Sequence, residues 1–345
     1  MQELKRIINY KRIILLLIAA TVNVVFFLYD NKPVMDEDII NKENVAHETY
    51  IKNYHEEVNA IIDNADKLKK YSIFNKAGSF SYANILQTAR DFERVKNVIL
   101  PEDEYKGVQA YTTYYYQYFF TMLVMMFVIY DMFAQRDNGM WSITYSCANG
   151  RIMYAIKQTG VIVVTGAFTH TLIYWSTFIA AMLQRGGVRD LVNPVQTIET
   201  FDKFTYPWSK IKYVTVLYLI SMVCIVALCI TIWGVFVMFR NRVYALVTML
   251  IFAAVEQFIY SHIDIHSVWN GLHYINIINI ININATFSSY RNWGVGTYVF
   301  PVFSVVLFVH IICAGVIGYI AINVSASMKP YKNTTFIKRF TDCVS

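Results

Sequence analysis

A single acidic residue interrupts one of the apolar stretches of this chain. Glu256 lies within residues 252–260, FAAVEQFIY, and Gln257 follows it. An ionised side chain at the centre of a membrane-spanning helix costs about 2.5 to 3.5 kcal/mol on insertion scales, so it indicates a function or a partner. Either Glu256 and Gln257 face the path of a transported substrate, or the carboxyl lies near the interface, protonated or paired with an external base.

Histidines supply a second set of candidate groups. His170 and His310 fall within apolar stretches, where a hydrogen bond to a neighbouring helix explains a histidine better than metal ligation. Residue types found in metal sites also cluster near the end of the fifth apolar stretch, but His-x-Asp-x-His spacing is common by chance, and we predict no metal site. The residues of this cluster are His262, Asp264, His266 and His273.

Tyrosines crowd the start of another apolar stretch. Tyr114, Tyr115, Tyr116 and Tyr118 would cover every face of a helix at this point. An aromatic belt at the membrane interface is the simplest interpretation. The alternative is a tyrosine-lined cavity, in which Tyr114 and Tyr118 border the path of an amphipathic substrate.

The sequence contains no motif for nucleotide binding or hydrolysis. The patterns G-x-x-x-x-G-K-[ST], H-E-x-x-H and G-x-S-x-G are all absent. The loops predicted to face the cytoplasm are also too short for a nucleotide-binding domain. We therefore predict no catalytic residue, no cofactor and no enzymatic activity in this chain. If ATP and Mg²⁺ are used, another polypeptide binds them.

Membrane spans are the elements that must position these groups. Hydrophobic residues make up 56% of the 345 residues and charged residues 16%, whereas a soluble domain carries about 25% charged residues. About 20 mainly apolar residues cross the hydrocarbon core of a bilayer. The composition predicts an all-α, multi-pass protein of the plasma membrane with six transmembrane helices. These are Ile13 to Tyr29, Tyr111 to Phe133, Gly160 to Leu183, Tyr213 to Phe239, Val243 to His262 and Tyr298 to Val324.

Basic residues are distributed unevenly between the two sets of loops. Lys and Arg near span ends are preferentially kept in the cytoplasm, so both termini are predicted to be cytoplasmic. The net charge of +6 lies mainly on that face, beside anionic lipid head groups, and indicates no nucleic-acid partner. The richer loops hold Lys5, Arg6, Lys11, Arg12, Arg136, Arg151, Lys157, Arg240, Arg242, Lys329, Lys332, Lys338 and Arg339. The poorer loops hold Arg185, Arg189, Lys203, Lys210, Lys212 and Arg291.

A long polar segment, residues 30–110, separates the first two spans. Apolar residues recur there every three or four positions, from Tyr50 to Leu68 and from Tyr82 to Val95, which predicts an extracytoplasmic insertion of two amphipathic helices. A solvated spacer is the alternative. The predicted parts of the chain are the N-terminus and first span (1–29), this insertion (30–110), the other five helices (111–324) and a cytoplasmic tail (325–345).

Asparagines recur in the loop between the fifth and sixth spans. From Ile263 to Gly296 apolar residues alternate with polar ones, and the asparagines among these are Asn276, Asn279, Asn282 and Asn284. This pattern predicts a segment that lies in the membrane interface or dips into it. Backbone at that depth must be covered by protein or line a wet cavity.

A short helix is predicted in the loop between the second and third spans. Residues 135–157 read QRDNGMWSITYSCANGRIMYAIK. Asp137 or its neighbour can cap this helix, Trp141 gives it an apolar face, and Gly150 ends it before Arg151 begins the next helix. The helix would lie along the membrane surface, where it could press on a cytoplasmic partner. The simpler interpretation is a turn flanked by basic residues.

In this loop the chain resembles the permease subunits of bacterial ABC type-2 exporters. In that family the loop has a polar start, a Gly, a short apolar helix, a Gly-Arg or Ser-Arg turn and a Lys six residues later. The matching residues are Asp137, Gly139, Trp141, Gly150, Arg151 and Lys157, whereas Gln135 and Met140 stand where many members have Glu and Thr. The resemblance implies a coupling helix, at about residues 137–157, that sits in a groove of a cytoplasmic ABC ATPase.

The same resemblance implies the partners and the cargo. A second permease subunit, identical or related, would complete the membrane part, and ATP and Mg²⁺ would bind to the ATPase. The cargo would be a lipophilic or amphipathic compound or peptide, such as an antimicrobial peptide, and the lipid bilayer would surround the complex.

Two other classes of function are compatible with the sequence. A membrane sensor or immunity protein would bind an external ligand through residues 30–110 and would transport nothing. An intramembrane enzyme would need catalytic groups that converge within the membrane, and Glu256 with scattered histidines does not provide such a set.

Overall fold

A computed structural model describes residues 10–33, 36–71, 76, 78–101, 106–137, 150–239, 241–263 and 269–327. Within these ranges, six helices are long and apolar enough to cross a membrane, which confirms the prediction of a multi-pass membrane protein. These are α1, α5, α6, α7, α8 and α12 of the following list. The helices are α1 (Tyr10–Asp30), α2 (Glu37–Leu68), α3 (Phe80–Glu93), α4 (Lys106–Thr113), α5 (Tyr116–Asp137), α6 (Gly150–Arg185), α7 (Lys210–Met238), α8 (Arg242–His262), α9 (Asn270–Ile275), α10 (Ile277–Ile281), α11 (Ile283–Ser288) and α12 (Val302–Ser327).

Two of the predicted spans start before the helix that forms them, and the helix of a third extends beyond its predicted start. The second was expected to begin at Tyr111, but this residue belongs to the separate helix α4, and α5 begins only at Tyr116. The third was expected from Gly160, and the helix that contains it begins at Gly150 and is 36 residues long. Hydropathy misses these helix ends because it responds to apolar side chains and not to the course of the backbone.

The sixth span also begins later than predicted, because its first residues form a strand. Strand β1 (Asn292–Val295) pairs antiparallel with β2 (Tyr298–Pro301), and Val295 lies opposite Tyr298. The turn requires glycine, since Gly296 has a φ of 63°, a conformation that other residues rarely adopt. The hairpin is an exception within a chain that is otherwise helical, as the all-α prediction expects.

The two helices that the periodicity predicts between the first two spans are present as α2 and α3. Asp36 caps α2 by accepting a hydrogen bond from the backbone N–H of Asp38, and Ser79 caps α3 by accepting one from that of Tyr82. The apolar faces of the two helices pack together. Their buried residues are Tyr50, Tyr54, Val58, Ile62, Phe92 and Val95.

The loops that follow the first, third and fifth spans meet on one side of the bundle. We call α2, α3, residues 186–209 and the β-hairpin the loop assembly. Tyr50 Oη donates to the carbonyl oxygen of Gln196 at 2.8 Å, and Asn292 Nδ2 donates to Asn84 Oδ1 at 2.8 Å. The spans therefore run alternately up and down, with the start of α1 and the end of α12 on the opposite side.

Helix α7 forms the centre of the bundle. It packs against α5, α6, α8 and α12 and is the most buried of the spans, whereas α8 is the least buried. Small residues allow α7 and α12 to cross closely, because a Cβ atom at Gly234 would lie only 2.4 Å from Cγ2 of Ile317. Trp233, the neighbour of Gly234 in the chain, is fully buried.

Candidate functional site

The helices that flank the predicted coupling helix end on the side opposite the loop assembly. Helix α5 ends at Asp137 and α6 begins at Gly150. Gly139 and Trp141 lie outside the described residues, as does the side chain of Asp137. The structure therefore places the two ends of the predicted coupling segment but not its middle.

The start of α6 is tied to other helices on this side. Arg151 Nη1 donates to the carbonyl oxygen of Ala326, in the last turn of α12, at 3.4 Å. Arg12 of α1 forms an ion pair with Asp131 of α5. Lys157 is exposed on the surface of α6. Two contacts thus join helix ends beside the predicted coupling segment. One links α6 with α12, and the other links α1 with α5.

The opposite end of α6 is tied to the loop assembly side. Arg185, its last residue, donates from Nε to the carbonyl oxygen of Asn31 at 3.0 Å and from Nη2 to that of Lys32 at 2.8 Å. Gln184 Nε2 donates to the carbonyl oxygen of Leu28 at 3.1 Å. One uninterrupted helix therefore connects the predicted coupling segment with the region where α1 leaves the bundle.

A buried polar contact joins α1 and α6 to the turn between α4 and α5. Asn23 Nδ2 donates to Thr177 Oγ1 at 2.7 Å, and Tyr114 Oη donates to Asn23 Oδ1 at 3.0 Å. All three side chains are at most 2% exposed. Side chains that hydrogen-bond between helices hold them in register. Tyr114 is thus a buried helix contact and not part of an aromatic belt.

A second polar contact lies between α5, α6 and α7. His170 Nε2 lies 2.8 Å from Ser221 Oγ, and the imidazole lies between the rings of Tyr118 and Tyr218, with centroids 5.9 and 5.8 Å away. Tyr118 is 1% exposed. The prediction that His170 is a hydrogen-bonded helix contact is confirmed. The aromatic-belt interpretation is wrong for Tyr118, although it suits the exposed Tyr115.

Glu256 is engaged by the loop between the fifth and sixth spans. Its Oε2 accepts a hydrogen bond from the backbone N–H of Ile277 at 3.0 Å. Asn276 Nδ2 donates to the main-chain carbonyl oxygen of Glu256 at 2.7 Å, while Gln257 is exposed. Among the described residues, the hydrogen-bond partner of the Glu256 carboxylate is this backbone amide.

The asparagines of this loop bond to main-chain groups of the loop itself and of the neighbouring helix α4. Asn276 Oδ1 accepts from the backbone N–H of Ile278 at 2.8 Å, and Asn279 Nδ2 donates to the carbonyl oxygen of His273 at 2.6 Å. Asn284 Nδ2 donates to that of Thr112 at 2.6 Å. This explains the recurrence of asparagine, because a broken backbone next to lipid needs partners from protein. A hydropathy profile misses this role, but the three-residue spacing of Asn276 and Asn279 indicates it.

Burial also raises the pKa values of tyrosines in the loop assembly and next to it. Desolvation raises the pKa of Tyr50 and of Tyr54 well above the usual range. It raises the pKa of Tyr290 to about 12, and Tyr290 Oη donates to Asp91 Oδ2 at 3.0 Å. These phenols are neutral packing groups at ordinary pH and do not supply an acid or a base.

No group of metal-ligating side chains occurs in the part of the chain that the structure describes. Asp264 and His266 lie outside that part. His262 stacks on Phe258 with ring centroids 4.1 Å apart, and the ring of His273 stacks on an aromatic neighbour in the same way. Stacking thus accounts for both described histidines of the cluster.

Sequence reasoning did not single out several residues of the buried contacts. Asn23, Thr177 and Ser221 join helices through the hydrogen bonds described above. The only sequence feature that could have identified them is a polar side chain within an apolar stretch. This feature is informative for Asn23, but it is weak for serine and threonine, because their hydroxyls commonly bond to the backbone of their own helix.

Comparisons with known proteins complete the description of the site. No protein-family model, no curated protein and no solved structure matches the chain.

Proposed function

We propose that this chain is the transmembrane permease subunit of an ABC exporter whose ATPase is a separate polypeptide. The observation that best supports the proposal is the length of α6, which runs without a break through 36 residues. At about 1.5 Å per residue such a helix is longer than the hydrocarbon core, about 30 Å thick. We propose that its first turns project from the bilayer with the segment that would contact an ATPase.

The contacts of α6 suit the transmission of a movement. Arg151 connects its start with α12, and Arg185 connects its end with the chain that leaves α1. Along its length it packs against α1, α4, α5, α7 and α12. Closure of two ATPase subunits on ATP would push the segment at about 137–157, and a rigid helix would carry the displacement to the loop assembly.

The partners follow from this arrangement and from the sequence resemblance. We propose that cytoplasmic ABC ATPase subunits bind the coupling segment, that a second permease subunit completes the membrane part, and that ATP and Mg²⁺ bind to the ATPase. The cargo would be a lipophilic or amphipathic compound or peptide that reaches the protein from the bilayer. Glu256 and Gln257 then remain the candidate residues of its path, whereas Tyr114 and Tyr118 become accessible only if helices separate.

The coupling proposal is tested by substitutions in the segment itself. Gly150→Pro is a weak test, because Gly150 is the first residue of α6 and proline is tolerated at that helix position. Trp141→Ala removes the apolar face of the predicted helix, and Arg151→Glu reverses the charge at its end. Matched controls on the other side of the bundle are Trp269→Ala and Arg189→Glu.

The measurement is co-purification of the tagged full-length chain with a Walker-motif ATPase, followed by ATP turnover of the complex in nanodiscs. We expect Trp141→Ala and Arg151→Glu to reduce both by at least tenfold, as expected when about 1.4 kcal/mol of binding is lost. Both controls should match the wild type. Undiminished association and turnover in both test variants would refute the coupling role.

The packing of the loop assembly favours one second candidate, a membrane sensor that binds an external ligand. Tyr54 of α2 is 1% exposed where this helix packs against α3, so the region is folded and is not a solvated spacer. In a sensor, Tyr54→Ala would abolish the response while Arg151→Glu would have no effect. In an exporter, Arg151→Glu would abolish ATPase association, and a Tyr54→Ala chain that still folds would retain it.

A further inference from the structure

The two faces of the β-hairpin have different surroundings. Directly paired residues of two strands lie on the same face, and neighbours along a strand alternate between the faces. Gly294 and its partner Val299 therefore share one face, and Val295 and its partner Tyr298 share the other. Helix α3 covers the first face, because a Cβ atom at Gly294 would clash with the ring of Phe80.

The second face is apolar and exposed. Val295 is 60%, Tyr298 71% and Phe300 43% exposed. No charged side chain occurs from Asn292 to Pro301. Strands that border water are normally protected by charged residues. The composition of this hairpin therefore indicates that its second face is covered when the protein is in its membrane.

Helix α9 continues this surface. Trp293, which shares the second face, packs on α9, since a Cβ atom at Gly271 would lie 3.4 Å from its ring. Leu272, the next residue of α9, is 50% exposed. We call these exposed apolar residues the interfacial patch. It consists of Leu272, Val295, Tyr298 and Phe300.

The hairpin joins the sixth span at the depth of the lipid head groups. Strand β2 ends at Pro301, and α12 begins at the next residue, Val302. Helix α12 has 26 residues, which corresponds to about 39 Å at about 1.5 Å per residue. The hydrocarbon core is about 30 Å thick and the whole bilayer about 40 to 45 Å. With the excess length divided equally, α12 begins about 4 to 5 Å outside the core, within the head-group layer.

We propose that the interfacial patch is a lipid-binding surface that lies in the head-group layer on the loop assembly side. The patch is continuous with an apolar surface that faces lipid, because α12 follows β2 directly and exposes residues such as Phe308 and Val316. Tyrosine suits this layer, since its ring is apolar and its hydroxyl is polar. Arg291, exposed directly before β1, supplies a positive charge for the lipid phosphate.

The proposal gives the hairpin a structural role between lipid and protein. The patch contacts lipid on one face, and Phe80 of α3 packs over Gly294 on the other. Asn292 Nδ2 donates to Asn84 Oδ1 of α3 at 2.8 Å. The loop assembly therefore rests on the bilayer through the hairpin, which fixes the height of α3 above the membrane.

Photocrosslinking of the unsubstituted full-length chain tests the proposal. Nanodiscs with one chain each are made from phosphatidylcholine, with a diazirine on the head group in one preparation and at the end of an acyl chain in another. Adducts are located by mass spectrometry after illumination. We expect the head-group probe to modify Tyr298 and Phe300. Their adduct yield should exceed that of two control residues at least about tenfold, a preference that corresponds to about 1.4 kcal/mol.

The control residues match the patch in exposure but not in surroundings. Val45 and Tyr71 are 63% and 61% exposed, and charged residues flank both of them. Val316, near the middle of α12, is the reference for the acyl-chain probe. It should be modified by that probe in every preparation in which the spans are inserted.

One substitution and its matched control strengthen the test. Phe300→Glu places a charge in the patch, and it should reduce the adducts on Tyr298 to the level of the control residues while those on Val316 persist. Val45→Glu makes the same change outside the patch and should leave the adducts on Tyr298 unchanged.

Two results would overturn the proposal. One is a wild-type adduct yield at the patch no higher than at the control residues. The other is a yield that is high in nanodiscs with one chain but lost in nanodiscs with two, since the patch would then be an interface with a second copy. The readout needs no ATPase and no cargo, so the coupling proposal and this one can fail independently.

Discussion

The close crossing of α7 and α12 makes Gly234→Ala a sharp test of the fold. The added Cβ would lie 2.4 Å from Cγ2 of Ile317 and 3.4 Å from its carbonyl oxygen. Two carbon atoms in ordinary contact are about 3.5 to 4.0 Å apart, so something must move by about an ångström. Cγ2 is bonded directly to a branched Cβ and cannot swing aside freely. The helices themselves must separate.

Two opposing contributions determine how much Gly234→Ala changes the free energy of unfolding. Overpacking a well-packed interior costs about 1 to 3 kcal/mol, and alanine in place of glycine in a helix returns about 0.5 to 1 kcal/mol. We expect a net destabilisation of about 1 to 2 kcal/mol. At about 2 °C per kcal/mol for a large chain, the melting temperature should fall by about 2 to 4 °C.

The assay is thermal unfolding of the purified chain in nanodiscs at a fixed scan rate, followed by tryptophan fluorescence. Gly160→Ala and Gly315→Ala are matched controls in α6 and α12, since no atom lies within 4 Å of either added Cβ. Both should equal or exceed wild-type stability. Ile317→Leu removes the clashing Cγ2 and should restore most of the loss in a double variant. The close crossing would be refuted if the Gly234→Ala variant were as stable as these controls. It would also be refuted if adding Ile317→Leu restored none of the lost stability.

Three further predictions concern the loop assembly and the helix ends. Tyr50→Phe removes the hydrogen bond to Gln196 and should destabilise the loop assembly by about 1 kcal/mol, as measured by limited proteolysis. Burial raises the pKa of Tyr290 from 10.0 to about 12, so the tyrosine ionises at lower pH in the unfolded state than in the folded state. The free energy of unfolding should therefore fall as the pH rises from 10 to about 12. In Tyr290→Phe this pH-dependent loss of stability should be absent. Because the Asp131 side chain is 64% exposed, a double-mutant cycle with Arg12 should give a coupling of about 0.2 to 1 kcal/mol that decreases with salt.

The sequence predicted the spans well because length and apolarity are what a bilayer requires of a helix. It failed where the backbone breaks. Tyr111 is as apolar in context as the residues of α5 but packs against Tyr174 of α6, with ring centroids 5.3 Å apart, in a helix of its own. Tyr298 likewise extends an apolar run but pairs across a hairpin. In both cases a tertiary contact decides the conformation, and a hydropathy window contains no information about it.

The candidate site also has some features that the sequence could predict and others that it could not. Arg151 could be chosen from the sequence, because a glycine-arginine turn after an apolar helix is a local pattern. Its acceptor, the carbonyl oxygen of Ala326, could not, since the two residues are 175 positions apart in the sequence. For Glu256 the sequence indicated that a partner is needed, but the backbone N–H of Ile277 has no identity that a sequence can show.

The asparagine-rich loop shows how a broken backbone can be held inside a helical bundle. Asn276 and Asn279 bond to main-chain groups of their own segment, which replaces hydrogen bonds that a continuous helix would make for itself. Further hydrogen bonds tie the segment to α8 and to α4. Its apolar side chains, among them Ile283 and Phe287, belong to the main hydrophobic core. The asparagines therefore let a segment without a continuous helix contribute to that core, because they supply the partners that its broken backbone lacks.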